Sequence, residues 1–109
     1  MIRGRRPFTI LIMQFLSISR RRTDAFPAEA FTPELIRQEA GRVKELYAEG
    51  ILRHIWARGD AGGAVILWEA RGEDEVRAAI ESLPIFQAGM LGLDALVPLK
   101  PYAGFGPAK

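Results

Sequence analysis

The chain has no cysteine and a single histidine, His54. The first absence excludes disulfides, thiolate metal sites and cysteine nucleophiles. The second excludes a multi-histidine metal site within one copy, unless a symmetric oligomer brings copies together. An excess of charge of one sign is also lacking: 15 basic residues face 13 acidic ones, for a formal net charge of +2. Arg3, Arg5 and Arg6 lie in an acid-free segment at residues 1–12, and without them 12 basic residues face 13 acidic ones. A nucleic-acid footprint needs a basic face spread over the fold. Beyond Arg20-Arg21-Arg22 there is none, so no nucleic-acid partner is expected.

Long hydrophobic runs are missing too. The apolar run near the start is far shorter than the roughly 20 residues of a membrane span. Arg3 to Arg6 followed by residues 8–15 imitate a signal peptide, but no small-x-small cleavage site follows, and Ser19-Arg20-Arg21-Arg22 is a poor exit. The expectation is a cytoplasmic protein with no membrane partner. Residues 1–12 read as an extension upstream of a natural start at Met13, and residues 13–109 as one domain with a tail from Lys100. With 49% hydrophobic and 26% charged residues, the composition is that of a globular chain.

Phe8–Ser19 reads as a strand apolar on both alternating faces, hence covered on both sides. Arg20–Phe31 is a polar loop. Thr32 is a suitable N-cap, Pro33 fits the first helical position and Glu34 favours a helix N-terminus. Leu35, Ile36, Glu39, Val43, Leu46 and Tyr47 then mark one helix face, with Gly50 as the C-cap. Ile51–Arg58 and Ala64–Ala70 are strands joined by the glycine-rich turn Gly59–Gly63. Gly72-Glu73-Asp74-Glu75 opens a second helix that Pro84 ends, Leu91–Leu99 is a fourth strand, and the tail from Lys100 is irregular.

The order strand, helix, strand, strand, helix, strand predicts an α+β, ferredoxin-like βαββαβ fold, a four-stranded antiparallel sheet with two helices on one face. Two helices cannot cover both faces. Yet Val65 and Leu67 oppose Ile66 and Trp68, so both faces of the third strand call for burial. The free face is expected to pack on another copy, making the protein at least a dimer and possibly a higher homo-oligomer.

Specific residues add to this order. Glu45-Leu46, Gly50 and Arg53-His54-Ile55-Trp56 resemble the helix-to-strand junction of the muconolactone isomerases. Ser82-Leu83-Pro84-Ile85-Phe86 and Val97-Pro98-Leu99 are similar to the same family, and the likeness runs over roughly residues 13 to 101. The resemblance implies a dimeric α+β barrel and a cofactor-free enzyme of aromatic catabolism that shifts a double bond in a carboxylated unsaturated lactone. It also implies an acid at position 39. The chain departs from the pattern at Ala57, where an arginine usually follows the tryptophan, and in Arg20-Arg21-Arg22 and the tail Tyr102-Ala103-Gly104-Phe105-Gly106.

Such chemistry needs a base lifted towards neutrality by partial burial, donors for the developing oxyanion and a cation for the substrate carboxylate. Glu39 stands four residues from both Leu35 and Val43, so it falls on the apolar stripe and points at the sheet. It is the base candidate; the alternative is a glutamate that reaches solvent or pairs with Arg42 or Arg53. His54 is a candidate proton carrier or an interface histidine. Strict alternation puts it with Leu52, Trp56 and Arg58, opposite Arg53, Ile55 and Ala57. Trp56 is pocket wall or core. Arg53 and Arg58 are candidates for binding the substrate anion, whereas Arg20-Arg21-Arg22 reads as a solvated charge run or an interchain ion-pair partner. The glycine turn lacks the lysine and following helix of a phosphate loop.

Three functions compete. The first is a cofactor-independent isomerase with Glu39 as base, Arg53 or Arg58 as clamp and His54 as helper. The second is a cofactor-free oxygenase or cyclase on polyphenols, favoured by aromatic walls without a carboxylate clamp. The third is a non-catalytic oligomeric binding protein, expected if Glu39 is fully paired and no cavity lies between helices and sheet.

Overall fold

A computed structural model describes residues 11–106. The elements run β1 (Met13–Arg21), α1 (Pro33–Ala48), β2 (Leu52–Ala57), β3 (Ala64–Ala70), α2 (Glu73–Glu81), α3 (Pro84–Gln87) and β4 (Leu91–Leu99), with 3₁₀ turns at Ala28–Ala30 and Ala103–Phe105. The four strands are antiparallel in the order β2-β3-β1-β4. This is the ferredoxin-like α+β fold.

β1 is shifted relative to the expected Phe8–Ser19. Phe8 and Ile10 lie outside the described residues; Leu11 and Ile12 precede the strand and are exposed. The cause is pairing. Met13 is opposite Ala70, the last residue of β3, so Leu11 and Ile12 have no partner on that side. At the other end β4 pairs Ser19, Arg20 and Arg21 with Leu93, Gly92 and Leu91, and so carries the strand into the arginine run.

The helix side of the sheet is the core. Phe15, Leu46, Leu52, Ile66, Trp68, Val76, Ile80 and Leu83 form one buried cluster. Trp68 is fully buried, and its indole N–H donates to the Ser17 hydroxyl at 2.8 Å. That bond explains why a serine can sit in the core, since a buried indole without an acceptor would carry a desolvation cost. A second cluster of Phe31, Ile85 and Met90, with Leu35 packed against it, closes the other end of α1.

α1 starts as its sequence demands: Thr32 Oγ1 accepts from the Leu35 N–H at 3.1 Å, and Pro33 occupies the first turn. It stops at Ala48, with Gly50 in the left-handed region (φ 82°). Its stripe is narrower than expected, because Ile36 and Tyr47 are exposed. Pro84 does more than end α2. It opens α3, a short helix with no side-chain cap of its own. The tail is not wholly irregular, since Ala103–Phe105 forms a turn that leaves Tyr102 and Phe105 exposed. Among the described residues, no helix is long and apolar enough to cross a membrane.

Candidate active site

A cavity of about 220 Å³ lies between α1, α3 and the helix side of the sheet. Val43, Ile55, Ile66, Leu83, Ile85 and Leu91 supply apolar walls; Ser19, Arg21 and Glu39 supply polar side chains. The volume is below the roughly 300–1,000 Å³ of drug-sized sites. It suits one small ring with substituents.

Glu39 is half-buried on the α1 face turned towards α3. Its Oε1 accepts the Ile85 backbone N–H at 2.9 Å, an amide in the uncapped first turn of α3. α1 therefore supplies, through a carboxylate, the cap that α3 lacks. Burial raises the Glu39 pKa above the ordinary glutamate value; the Ile85 N–H and the charge of Arg21 oppose the rise and are outweighed. Only one of its oxygens is occupied by a hydrogen bond among the described residues.

Ser19, at the far end, is buried, and its hydroxyl is used up between the Ala64 N–H (3.2 Å) and the Ala64 carbonyl (3.3 Å). Gly63 packs onto the same strand. A Cβ there would stand 2.1 Å from the Ser19 carbonyl oxygen, and φ is 127°, so only glycine lets the β2–β3 turn fold back over β1.

The expected faces of β2 need correcting. A register shift between Leu52 and His54 breaks the alternation. Leu52 is opposite Trp68, Ile55 opposite Ile66 and Ala57 opposite Ala64, all on the helix side; His54 and Trp56 are opposite Leu67 and Val65 on the free side. A bulge of this kind adds one residue to a strand and re-aims its neighbours. Leu52 thus leaves the face assigned to it, and Arg53 no longer shares a face with Ile55. Arg53 instead lies 3.6 Å from Glu69, and it lines a separate groove along β2 with His54, Lys44 and Tyr47. The rings of His54 and Trp56 are tilted at 45° to one another with centroids 4.2 Å apart, and Trp56 alone of the two also borders the cavity.

Arg58 is fully engaged. It contacts Asp60 at 2.8 Å and Asp94 at 2.9 Å, donates to the Ser19 carbonyl, and is held further above its ordinary pKa by the two carboxylates. Neither Arg53 nor Arg58 lines the cavity that Glu39 faces. Among the described residues, the cation that does is Arg21, which the charge-run reading missed. Alternation from Phe15, Ser17 and Ser19, all buried on the helix side, leads to Arg21 and was the available signal. Among the described residues, no group of three or more His, Asp or Glu side chains is arranged to hold a metal.

Fold and cavity together define a single-domain ferredoxin-like α+β protein with a small cavity, lined by a carboxyl and a guanidinium, beneath its sheet. The muconolactone delta-isomerase family model matches residues 13–102, and the chain belongs to that family. None of the curated proteins matches it in sequence. Among solved structures it is similar to the 5-chloro-2-hydroxyhydroquinone dehydrochlorinase of Burkholderia phenoliruptrix AC1100, in complex with 2,5-dihydroxybenzoquinone. The TM-score is 0.59 at 19% identity, covering 83% of this chain and 94% of that one, a likeness of fold.

Proposed function

We propose that the protein is a cofactor-independent isomerase that moves a double bond in a small carboxylated unsaturated lactone of the muconolactone kind. The observation that carries this reading is Glu39, a half-buried carboxyl with a raised pKa and, among the described residues, one unengaged oxygen, facing a cavity of ring size. Family membership supports the same chemistry. In the reaction, the Glu39 carboxylate takes a proton from a ring carbon beside the double bond. The C–H electrons form the new double bond, and charge spreads to the lactone oxygen. The protonated Glu39 then returns the proton to the carbon at the far end of the delocalised system. A pKa above that of a free carboxylate suits a group that must both take and give a proton near neutral pH. The non-catalytic reading called for a fully paired Glu39 and no cavity, and both observations weigh against it.

Trp56 borders the cavity, where a pocket wall was expected, and it also flanks the free sheet face with His54. We assign that face to a second copy of the chain, which makes His54 the interface histidine rather than the proton carrier.

The test is an ultraviolet assay of muconolactone turnover by wild type and Glu39→Gln. Glutamine keeps an acceptor for the Ile85 N–H, so α3 stays capped. The expected loss in kcat is roughly 100- to 10,000-fold, the range for a positioned acid–base group. Undiminished turnover in the variant would remove Glu39 from the mechanism; no turnover in wild type would remove muconolactone as the substrate.

A further inference from the structure

We propose that Arg21 is the anion-recognising residue of the cavity and selects ring ligands that carry a carboxylate over neutral ones of the same shape. This deepens the isomerase reading by naming what holds the substrate's charged group, and it departs from Arg53 and Arg58.

Three neighbouring arginines leave β1, and their surroundings differ. Arg20 pairs with Asp94 at 3.3 Å on the free side of the sheet. Arg22 donates to the Gly89 carbonyl at 3.1 Å and lies over the Phe26 ring. Arg21 is on the helix side and lines the cavity with Glu39. It is its cation without an ion pair: among the described residues no carboxylate lies within 4.0 Å of its guanidinium.

The side chain is nevertheless held in place. The Arg21 backbone N–H donates to the Gly62 carbonyl at 3.1 Å, which fixes the strand end that carries the side chain. Its stem lies against Gly62, where a Cβ would meet Arg21 Cβ at 3.4 Å. Its guanidinium sits 5.2 Å from the centroid of the Phe31 ring, a cation–π contact with a buried aromatic. The two termini of the fork are thereby oriented at little further entropic cost when an anion arrives. A planar guanidinium matches a carboxylate in a two-point hydrogen bond.

The electrostatics argue the same way. If Glu39 works as an anion, a carboxylated substrate brings a second negative charge into about 220 Å³. Like charges in a partly desolvated space repel strongly. Arg21 is the positive charge among the cavity-lining residues that offsets this. An anion bound by Arg21 also fixes one end of a ring whose reacting carbon must come within reach of the unengaged Glu39 oxygen.

The experiment measures equilibrium binding of benzoate and its neutral isostere benzamide by isothermal titration calorimetry. Wild type, Arg21→Met and Arg21→Lys are compared, with circular dichroism and thermal unfolding to establish that each is folded. Wild type should bind benzoate at least about tenfold more tightly than benzamide, the difference one charge-assisted pair supplies. Arg21→Met should abolish that preference and leave benzamide affinity within about twofold, whereas Arg21→Lys should keep part of it. A loss of fold in Arg21→Met would leave Arg21→Lys to decide, by a preference reduced or unchanged. A preference that persists in folded Arg21→Met, or no preference in wild type, would overturn the assignment. Neither ligand reacts, so the result stands apart from turnover: failure of the muconolactone assay leaves it intact, and its failure leaves Glu39 untouched.

Discussion

At the scale of single residues, Glu39 couples structure to chemistry. Its spacing from Leu35 and Val43 made its direction readable from sequence, because a helix repeats every 3.6 residues whatever surrounds it. Its hydrogen bond to Ile85 was not readable, since α3 itself was hidden behind the expectation that Pro84 merely ends a helix. Arg21 was hidden by its neighbours, which make the triplet look like a solvated run although only alternate members share a face. Burial raises the Glu39 pKa, with a definite sign for pH dependence. The base must be ionised to act, so kcat/KM should fall as pH drops through a value above the roughly 4.3 of a free glutamate. Because the charge of Arg21 opposes the rise, Arg21→Met should move that limb higher still. For stability, the folded state holds this proton more tightly than the unfolded chain. Its contribution is therefore fully present below the unfolded pKa and is lost as pH rises through the folded one. Glu39→Gln should accordingly be as stable as wild type, or more so, at pH 7, with the gap closing in acid. Melting curves across pH would check this; a variant that gains on wild type in acid would contradict it.

At the scale of elements, the order and type of the four strands, α1 and α2 followed from the sequence because caps and periodicity are local, whereas α3 did not. Thr32 and Pro33 mark the start of α1 by their own chemistry, and the structure shows both in that role; at the other end the C-cap is Glu49, with Gly50 just beyond it in the left-handed region. Boundaries and faces that depend on a partner strand were not local. The limits of β1 come from β3 and β4, and the bulge in β2 comes from its register against β3, which no period-two reading of β2 could detect. The Gly59–Gly63 turn shows the same dependence. Read alone it closes a hairpin; in the fold Gly62 receives the Arg21 N–H and Gly63 lies on the Ser19 carbonyl. Gly63→Ala should therefore cost on the order of 2–3 kcal/mol, from a positive φ and a backbone clash that no rotamer relieves. Gly62→Ala meets only the Arg21 stem, at 3.4 Å, and should change stability by less than about 1 kcal/mol. Chemical denaturation of the two variants side by side measures the contrast, and equal effects would show that the turn is not pinned to β1.

At the scale of the whole molecule, the uncovered sheet face has the layout of an interface. Two apolar rows cross the strands: His54, Leu67, Leu16 and Val97 in one, Trp56, Val65, Ile18 and Ala95 in the other. A polar group bounds each end. At one, Gln14 and Arg53 meet Glu69; at the other, Arg20 and Arg58 meet Asp94. An apolar centre with a charged rim is the arrangement of protein interfaces. The rim charges are already paired within the chain, so a second copy can approach without leaving an ion unpartnered. We infer a two-fold dimer through this face. Because such an interface is isologous, every substitution in it occurs twice. Leu16 is paired with both Leu67 and Val97, at the middle of its row. Leu16→Glu would place two carboxylates in the apolar centre, where the described rows carry no arginine or lysine. An unpaired buried charge costs several kcal/mol, and every 1.4 kcal/mol is tenfold in affinity. The dissociation constant should thus rise by at least about 100-fold, turning a dimer at micromolar concentration into a monomer. Sedimentation velocity reads this directly, with Ile36→Glu as the control, since Ile36 is exposed on α1, away from this face. A monomeric wild type would remove the dimer, and an unchanged Leu16→Glu would move the contact to another surface; neither result bears on Glu39, which faces the cavity on the opposite side of the sheet.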